Sequence, residues 1–158
     1  MNYLNDIIHS NIGWFHFLTA VLAMITGTIV LLYKKGTTFH KRTGYIYVVA
    51  MLSLNISSFF IMSFGSFSLF HFFAIVSLVS IFGGMLPTIK KRKNWFGYHF
   101  YFMSWSVVGL FCAFWAEVGT RFVDNIKDFW WMVALATFVT AFIGSLVINR
   151  EAKKLNLK

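Results

Sequence analysis

The chain has 158 residues, of which 58% are hydrophobic and only 12% charged, and its formal net charge is +9. This length suits one domain, and we expect a single integral membrane domain over residues 1–158. The charges lie in short clusters between long apolar runs, which excludes a water-soluble globular protein. Because the basic residues flank those runs, they indicate membrane topology and no nucleic-acid partner. The single cysteine, Cys112, excludes a disulfide framework.

The apolar runs predict an all-α fold, a polytopic bundle of five transmembrane helices. A helix of about 20 residues crosses the roughly 30 Å of hydrocarbon in a bilayer. In chain order the predicted helices cover residues 13–33, 44–64, 69–89, 98–121 and 129–149. No Lys or Arg precedes Lys34, so we expect the first helix to be retained and not to be a cleaved signal peptide.

Two helices carry polar groups on faces that are predicted to pack. In the first helix, small residues follow a histidine at helical spacing: His16, Ala20, Ala23 and Gly27. In the fourth helix, His99 and Glu117 are 18 residues apart, which is five turns or roughly 27 Å, so they share one face.

The face between His99 and Glu117 is expected to look into the bundle, and Arg121 extends it by one turn. It contains Met103, Ser106, Leu110 and Ala113. Small residues on and beside it, Ser106, Gly109, Ala113 and Ala116, favour close helix contact. In the second helix, Asn55 and Ser58 are expected to hydrogen-bond to neighbouring helices.

The distribution of basic residues orients the predicted bundle. The first and third connections and the C-terminal tail hold 12 of the 14 Lys and Arg residues, and the opposite side holds only Arg121 and Lys127. Cytoplasmic loops carry the excess of basic residues in membrane proteins. We therefore expect the N-terminus outside and the C-terminus inside, in a bacterial inner (cytoplasmic) membrane.

This orientation sorts four histidines into two levels. His16 and His71 lie near the outer ends of the first and third helices. His40, in the first basic loop, and His99, at the start of the fourth helix, lie near the inner surface. Ionisable side chains within membrane spans are costly unless they are paired, hydrated or used, so they are candidates for function.

Two chemistries use histidines in this arrangement. Haem b takes axial imidazoles from facing helices, here His16 with His71 outside and His40 with His99 inside. Such a protein would pass electrons from a quinol-type or cytoplasmic donor to an external acceptor. The alternative is a zinc or copper site, in an enzyme or a metal handler, formed by His16, His71 and Glu117. A third class is a transporter or structural subunit without a cofactor, for which a carrier would need a homodimer.

Several segments together resemble a family of small bacterial membrane proteins, the domain-of-unknown-function 2306 family. They are His16, the run KGTTFHKRTGYIYVVAM at residues 35–51, and the stretch from His99 through Ser106 to Arg121. The resemblance implies a membrane fold and singles out His16, His40, His99 and Arg121, without implying a reaction. The layout of four histidines at two levels is also similar to two-haem membrane cytochromes of the b561 type, at the level of the fold only.

Overall fold

The computed structural model describes residues 10–61, 68–119 and 125–157, and within them all regular structure is helical. The helices are α1 (Asn11–Leu32), α2 (Thr38–Ser58), α3 (Leu69–Ile89), α4 (Trp95–Gly119) and α5 (Ile126–Lys154). The predicted all-α fold is thereby confirmed over these ranges. The chain forms two compact units, Met1–Val79 and Ser80–Lys158, so the boundary falls inside α3.

Among the described residues, four helices are long and apolar enough to cross a membrane. They are α1, most of α3 (Phe70–Ile89), α4, and α5 from Lys127 onward. The predicted second span corresponds to α2, which does not meet this criterion. Its first turns contain His40, Lys41 and Arg42, and these reduce its apolar content.

Helix α2 begins six residues earlier than predicted, and this changes the position of one histidine. The Thr37 hydroxyl accepts a hydrogen bond from the His40 backbone N–H at 3.1 Å, so Thr37 is the N-cap. His40 therefore lies in the first turn of α2, and its placement in a loop was wrong. The helix also ends earlier, at Ser58, whereas residue 64 lies outside the described residues.

In the first unit, α1 packs against α2 through the predicted small-residue face. Ala23 and Gly27 are buried there, together with Thr26 and Val30. Small residues let the two backbones approach closely, which is how helices associate in a membrane.

Two polar residues of α2 lie close to its C-terminal end. Asn55 Nδ2 donates to Ser77 Oγ of α3 at 3.0 Å, which confirms the predicted hydrogen bond between helices. Ser58 instead donates to the Asn55 carbonyl of its own helix at 2.7 Å. A serine can bond back to its own helix in this way, and the bond predicted from Ser58 to a neighbouring helix stays a prediction.

In the second unit, glycines mark where α4 meets its neighbours. A Cβ atom added at Gly144 of α5 would lie 2.6 Å from Val108 Cγ2, and one at Gly84 of α3 would lie 2.8 Å from Met103 Sδ. By contrast, Gly109 and Ala113 are exposed, and nothing lies within 4 Å of a Cβ added at Gly109. Within the described part of the second unit, these two residues make no close helix contact, and the contact predicted for them stays a prediction.

The predicted face of α4 is buried in its middle. Met103, Ser106 and Leu110 are buried as expected, whereas Glu117, one turn beyond the exposed Ala113, is exposed as well. The buried side therefore turns away from the predicted stripe toward Val107 and Val108, because α5 packs against that side. Ser106 uses its hydroxyl within α4, where it donates to the Met103 carbonyl at 2.8 Å.

Candidate functional site

His16 is held by a serine of the neighbouring helix. Its Nδ1 lies 2.9 Å from Ser57 Oγ of α2, and Ser57 is only 5% exposed. The Ser57 hydroxyl donates its one hydrogen to the Leu54 carbonyl at 2.9 Å, so it acts as the acceptor toward His16. With the Ser57 proton on the Leu54 carbonyl, His16 donates from Nδ1, and Nε2 is then the unprotonated nitrogen of the neutral ring.

His99 has the same tautomer, set by a backbone carbonyl. Its Nδ1 lies 3.4 Å from the carbonyl oxygen of Gly84 in α3, which is a long hydrogen bond. A carbonyl can only accept, so the proton lies on Nδ1 and Nε2 has the lone pair. The Thr88 hydroxyl donates to the same carbonyl at 2.8 Å and so helps to fix the acceptor.

His71 has the opposite tautomer because it completes a helix cap. The backbone N–H of Ser68 donates to His71 Nδ1 at 3.0 Å, and Ser68 Oγ lies 2.8 Å from the same atom. A side chain in the third helical position that reaches back to the N-cap N–H is the arrangement of a capping box. Because Nδ1 accepts, the proton of the neutral ring lies on Nε2. The ring also packs against Phe59, with 5.8 Å between centroids.

The structure distributes the predicted histidine pairs as follows. His16, His40 and His71 belong to the first unit, and His99 belongs to the second. His40 is half-buried in the first turn of α2. Both predicted pairs, His16 with His71 and His40 with His99, stay predictions.

The predicted zinc or copper site combines residues of both units. Glu117 lies exposed near the end of α4, in the second unit. Arg121, which was expected to extend the same face by one turn, lies outside the described residues. Over residues 10–61, 68–119 and 125–157, no group of three or more His, Cys, Asp or Glu side chains could hold a metal ion. The three-ligand site also stays a prediction.

An open groove lies beside the His16–Ser57 pair in the first unit. It has a volume of about 440 Å³, within the range of about 300–1,000 Å³ typical of ligand pockets. Its walls are mostly apolar, with hydroxyl and amide groups among them: Asn11, Ile12, Phe15, Ser53, Ile56, Ser57 and Phe60.

Two of the histidines are oriented as metal-binding histidines usually are. A ligating imidazole donates its second ring N–H to a carboxylate, a carbonyl or water, which fixes the tautomer and the ring orientation. His16 does this through the Ser57 hydroxyl, and His99 does it through the Gly84 carbonyl. His71, as bonded to Ser68, does not.

Sequence reasoning found the histidines and missed the residues that orient them. Ser57 could have been narrowed to one turn, because the α1–α2 connection of residues 33–37 is centred on Lys35, and His16 and Ser57 lie 19 and 22 residues from it. In an antiparallel pair of helices, positions equally far from the connection lie at the same depth. Ser68 and Gly84 act in a cap and through a backbone carbonyl, which the residue type alone does not reveal.

Comparison with known proteins identifies the chain at the level of a family. The model of the family described as predicted membrane protein (DUF2306) matches residues 13–150. The chain belongs to this family. The resemblance that was based on His16, residues 35–51 and the fourth helix is confirmed, and the DUF2306 match extends past Arg121 into α5. No curated protein and no solved structure matches the chain.

Proposed function

We propose that this DUF2306 protein is a haem-binding transmembrane redox protein in which His16 and His99 supply axial imidazoles. The observation that carries the proposal is that Nδ1 of both residues lies at hydrogen-bond distance from a neighbouring helix, from Ser57 Oγ for His16 and from the Gly84 carbonyl for His99. An imidazole that donates from Nδ1 in this way presents Nε2 to a metal. Haem b would supply one-electron chemistry. The protein would bind and orient it, and the hydrogen bonds from His16 to Ser57 and from His99 to the Gly84 carbonyl would tune the reduction potential.

The second ligand on each side is proposed as before, His71 with His16 outside and His40 with His99 inside. For His71 the fit has a cost. Ligation through Nε2 would move the ring proton to Nδ1, and His71 could then no longer accept from the Ser68 N–H. An unsatisfied buried donor costs about 1–3 kcal/mol, so His71 is the weaker of the two outer ligands.

The proposal includes a topology and partners. Five spans place the N-terminus outside and the C-terminus in the cytoplasm of a bacterial inner membrane. A quinol-type or cytoplasmic molecule is the proposed donor, and a redox protein is the proposed external acceptor. The groove beside Ser57 is the place where this acceptor would approach His16. A homodimer, if formed, would use the exposed Gly109 and Ala113 face of α4.

The absorption spectrum of the purified protein tests the proposal. We expect a Soret band and reduced α-bands, with haem b in the pyridine haemochrome assay. His16→Ala and His99→Ala should each remove part of the haem, whereas His9→Ala, which changes the one histidine outside the proposed ligands, should remove none.

Metal analysis of the same preparation separates the other functions. A colourless sample with stoichiometric zinc or copper would support the site of His16, His71 and Glu117, and Glu117→Gln should then remove the metal. A sample with neither haem nor metal would contradict both cofactor functions and would support a transporter or a structural subunit.

A further inference from the structure

The connection between α3 and α4 presents four adjacent cations at the end of two candidate membrane spans. Lys90, Lys91, Arg92 and Lys93 form this basic connection, and all four are exposed. It follows directly from Ile89 at the end of α3 and leads, through Asn94, to Trp95 at the start of α4. The apolar side chains at both ends place the cations at the level of the lipid headgroups.

The backbone of the basic connection is held by hydrogen bonds. The Lys91 N–H donates to the Thr88 carbonyl at 3.3 Å and the Arg92 N–H donates to the Pro87 carbonyl at 3.0 Å. Together with the positive φ of 46° at Lys91, these bonds form a Schellman motif that ends α3. The Trp95 N–H donates in turn to the Arg92 carbonyl at 3.0 Å, so the connection leads into α4 in a fixed conformation.

The charge of the basic connection exceeds the acidic charge on the adjoining helices. Glu117 lies 22 residues beyond Trp95 along α4, a distance of about 33 Å. Asp128 lies in the first turn of α5, beyond the far end of α4. Glu151 of α5 is paired with Lys154 at 2.5 Å. Glu151 lies close to the level of the basic connection, because its neighbour Ala152 packs in one cluster with Phe100 of α4. The four exposed cations outnumber this carboxylate, and their surplus charge is available to anions from outside the chain.

We propose that the basic connection is a binding site for anionic phospholipid headgroups. A run of Lys and Arg directly beside a transmembrane helix attracts anionic lipids through their phosphate charge. Exposed Trp95 and Tyr98, 40% and 51% accessible, add aromatic contacts at the same level. The complementary charge and the position beside two membrane helices select a lipid headgroup as the occupant.

Quenching of Trp95 fluorescence by brominated lipids tests the site. The full chain is reconstituted into vesicles of equal phosphatidylglycerol and phosphatidylcholine content, with bromine on the acyl chains of one lipid or the other. The part of the signal that Trp95→Phe removes belongs to Trp95. At low salt we expect brominated phosphatidylglycerol to quench Trp95 more strongly than brominated phosphatidylcholine. The ratio of the two lipids' binding constants, obtained from the quenching, should rise about five-fold for each cation that contributes.

Neutralised variants identify the residues responsible. Lys91→Asn suits the left-handed backbone, since Asn156 has the corresponding position and φ of 52° at the end of α5. Combined with Arg92→Gln and Lys93→Gln, it should bring the lipid preference close to one. Lys127→Gln, an exposed cation at the start of α5, is the matched control and should leave the preference unchanged.

Three results would overturn the proposal. They are equal quenching by both lipids in the wild type, an equal loss in Lys127→Gln, and removal of the preference by about 10 mM inorganic phosphate at constant ionic strength. The last result would assign the cations to free phosphate, because ionic strength alone already screens exposed charges. If the triple variant loses helicity, Lys93→Gln, which lies outside the Schellman motif, replaces it in the same measurement.

Discussion

At the scale of the residue, His71 differs from His16 and His99 in which ring nitrogen has the proton. A serine hydroxyl fixes it for His16, a carbonyl for His99 and a backbone N–H for His71. In each case one neighbouring atom decides whether Nε2 is a potential ligand or a donor. Changes to these neighbours should therefore affect cofactor binding without removing the histidine.

Ser57→Ala removes the acceptor for His16 Nδ1. Loss of an orienting partner typically lowers metal affinity about 10–100-fold, and loss of the buried hydrogen bond costs about 1 kcal/mol of stability. We expect a lower haem content and a lower apparent melting temperature. Ser53→Ala, one turn away on α2 and in the same groove, is the control. Equal loss in both variants would show that the effect comes from the groove and not from the bond to His16.

His71→Gln separates the capping role of His71 from a ligand role. Glutamine can accept from the Ser68 N–H in a capping box, whereas alanine cannot. We expect His71→Ala to lower the melting temperature by an amount corresponding to about 1 kcal/mol, and His71→Gln to lower it less. If His71 is also an axial ligand, both variants lose the same haem. An unchanged haem content in both variants would show that His71 acts only as a helix cap.

The sequence pattern could select His16 and His99 but not their tautomers. The two histidines could be selected from their depth in the predicted helices and from the cost of placing polar groups in a membrane. The tautomer depends on the rotation of one helix about its axis relative to the next, which brings Ser57 to His16 and the Gly84 carbonyl to His99. A helix rotated by one residue would bring other atoms next to the two histidine rings. The hydrophobicity of the sequence alone does not determine this rotation.

At the scale of the element, the same rotation of the helices decides which glycines lie at close helix contacts. Gly109 was expected to allow close contact, yet Gly144 is the residue that meets α4, at Val108. Helix ends were also displaced: the polar N-cap Thr37 starts α2 six residues early, and α5 continues to Lys154 through basic residues. Charged residues were predicted to lie in loops because they are unfavourable within a membrane. Such residues can also form helical turns that extend outside the membrane.

Gly144→Ala should destabilise the α4–α5 contact. The new methyl group would lie 2.6 Å from Val108 Cγ2, and overpacking of this kind costs about 1–3 kcal/mol. Gly109→Ala, whose methyl group would meet nothing within 4 Å, should be neutral or slightly stabilising. Thermal unfolding in detergent, followed by circular dichroism, compares the two. Val108→Ala should restore part of the stability lost in Gly144→Ala, and no restoration would contradict this contact as the cause.

At the scale of the whole molecule, the number of spans depends on α2. Its 21 residues would extend about 31 Å, long enough to cross, although its first turns are charged. With α2 as a span, 12 of the 14 basic residues lie on one side. Without it, the basic connection and the C-terminal tail move to the outside, and the count becomes six inside against eight outside. In either orientation the arrangement without α2 divides the basic residues six to eight, so only the five-span arrangement gives a strong excess of basic residues on one side, as is usual for the cytoplasmic side.

Labelling of single cysteines decides between these topologies. In a Cys112→Ser background, Lys34→Cys and Lys93→Cys place one thiol before α2 and one after α3, at exposed positions. If α2 and α3 both cross the membrane, the two thiols lie on the same side. We expect a membrane-impermeant maleimide to label neither in intact cells and both after permeabilisation, while Lys127→Cys is labelled from outside. Labelling of Lys93→Cys but not Lys34→Cys in intact cells would mean that α2 does not cross the membrane. His99 would then lie at the outer surface, and the predicted arrangement of the histidines at two levels would be wrong.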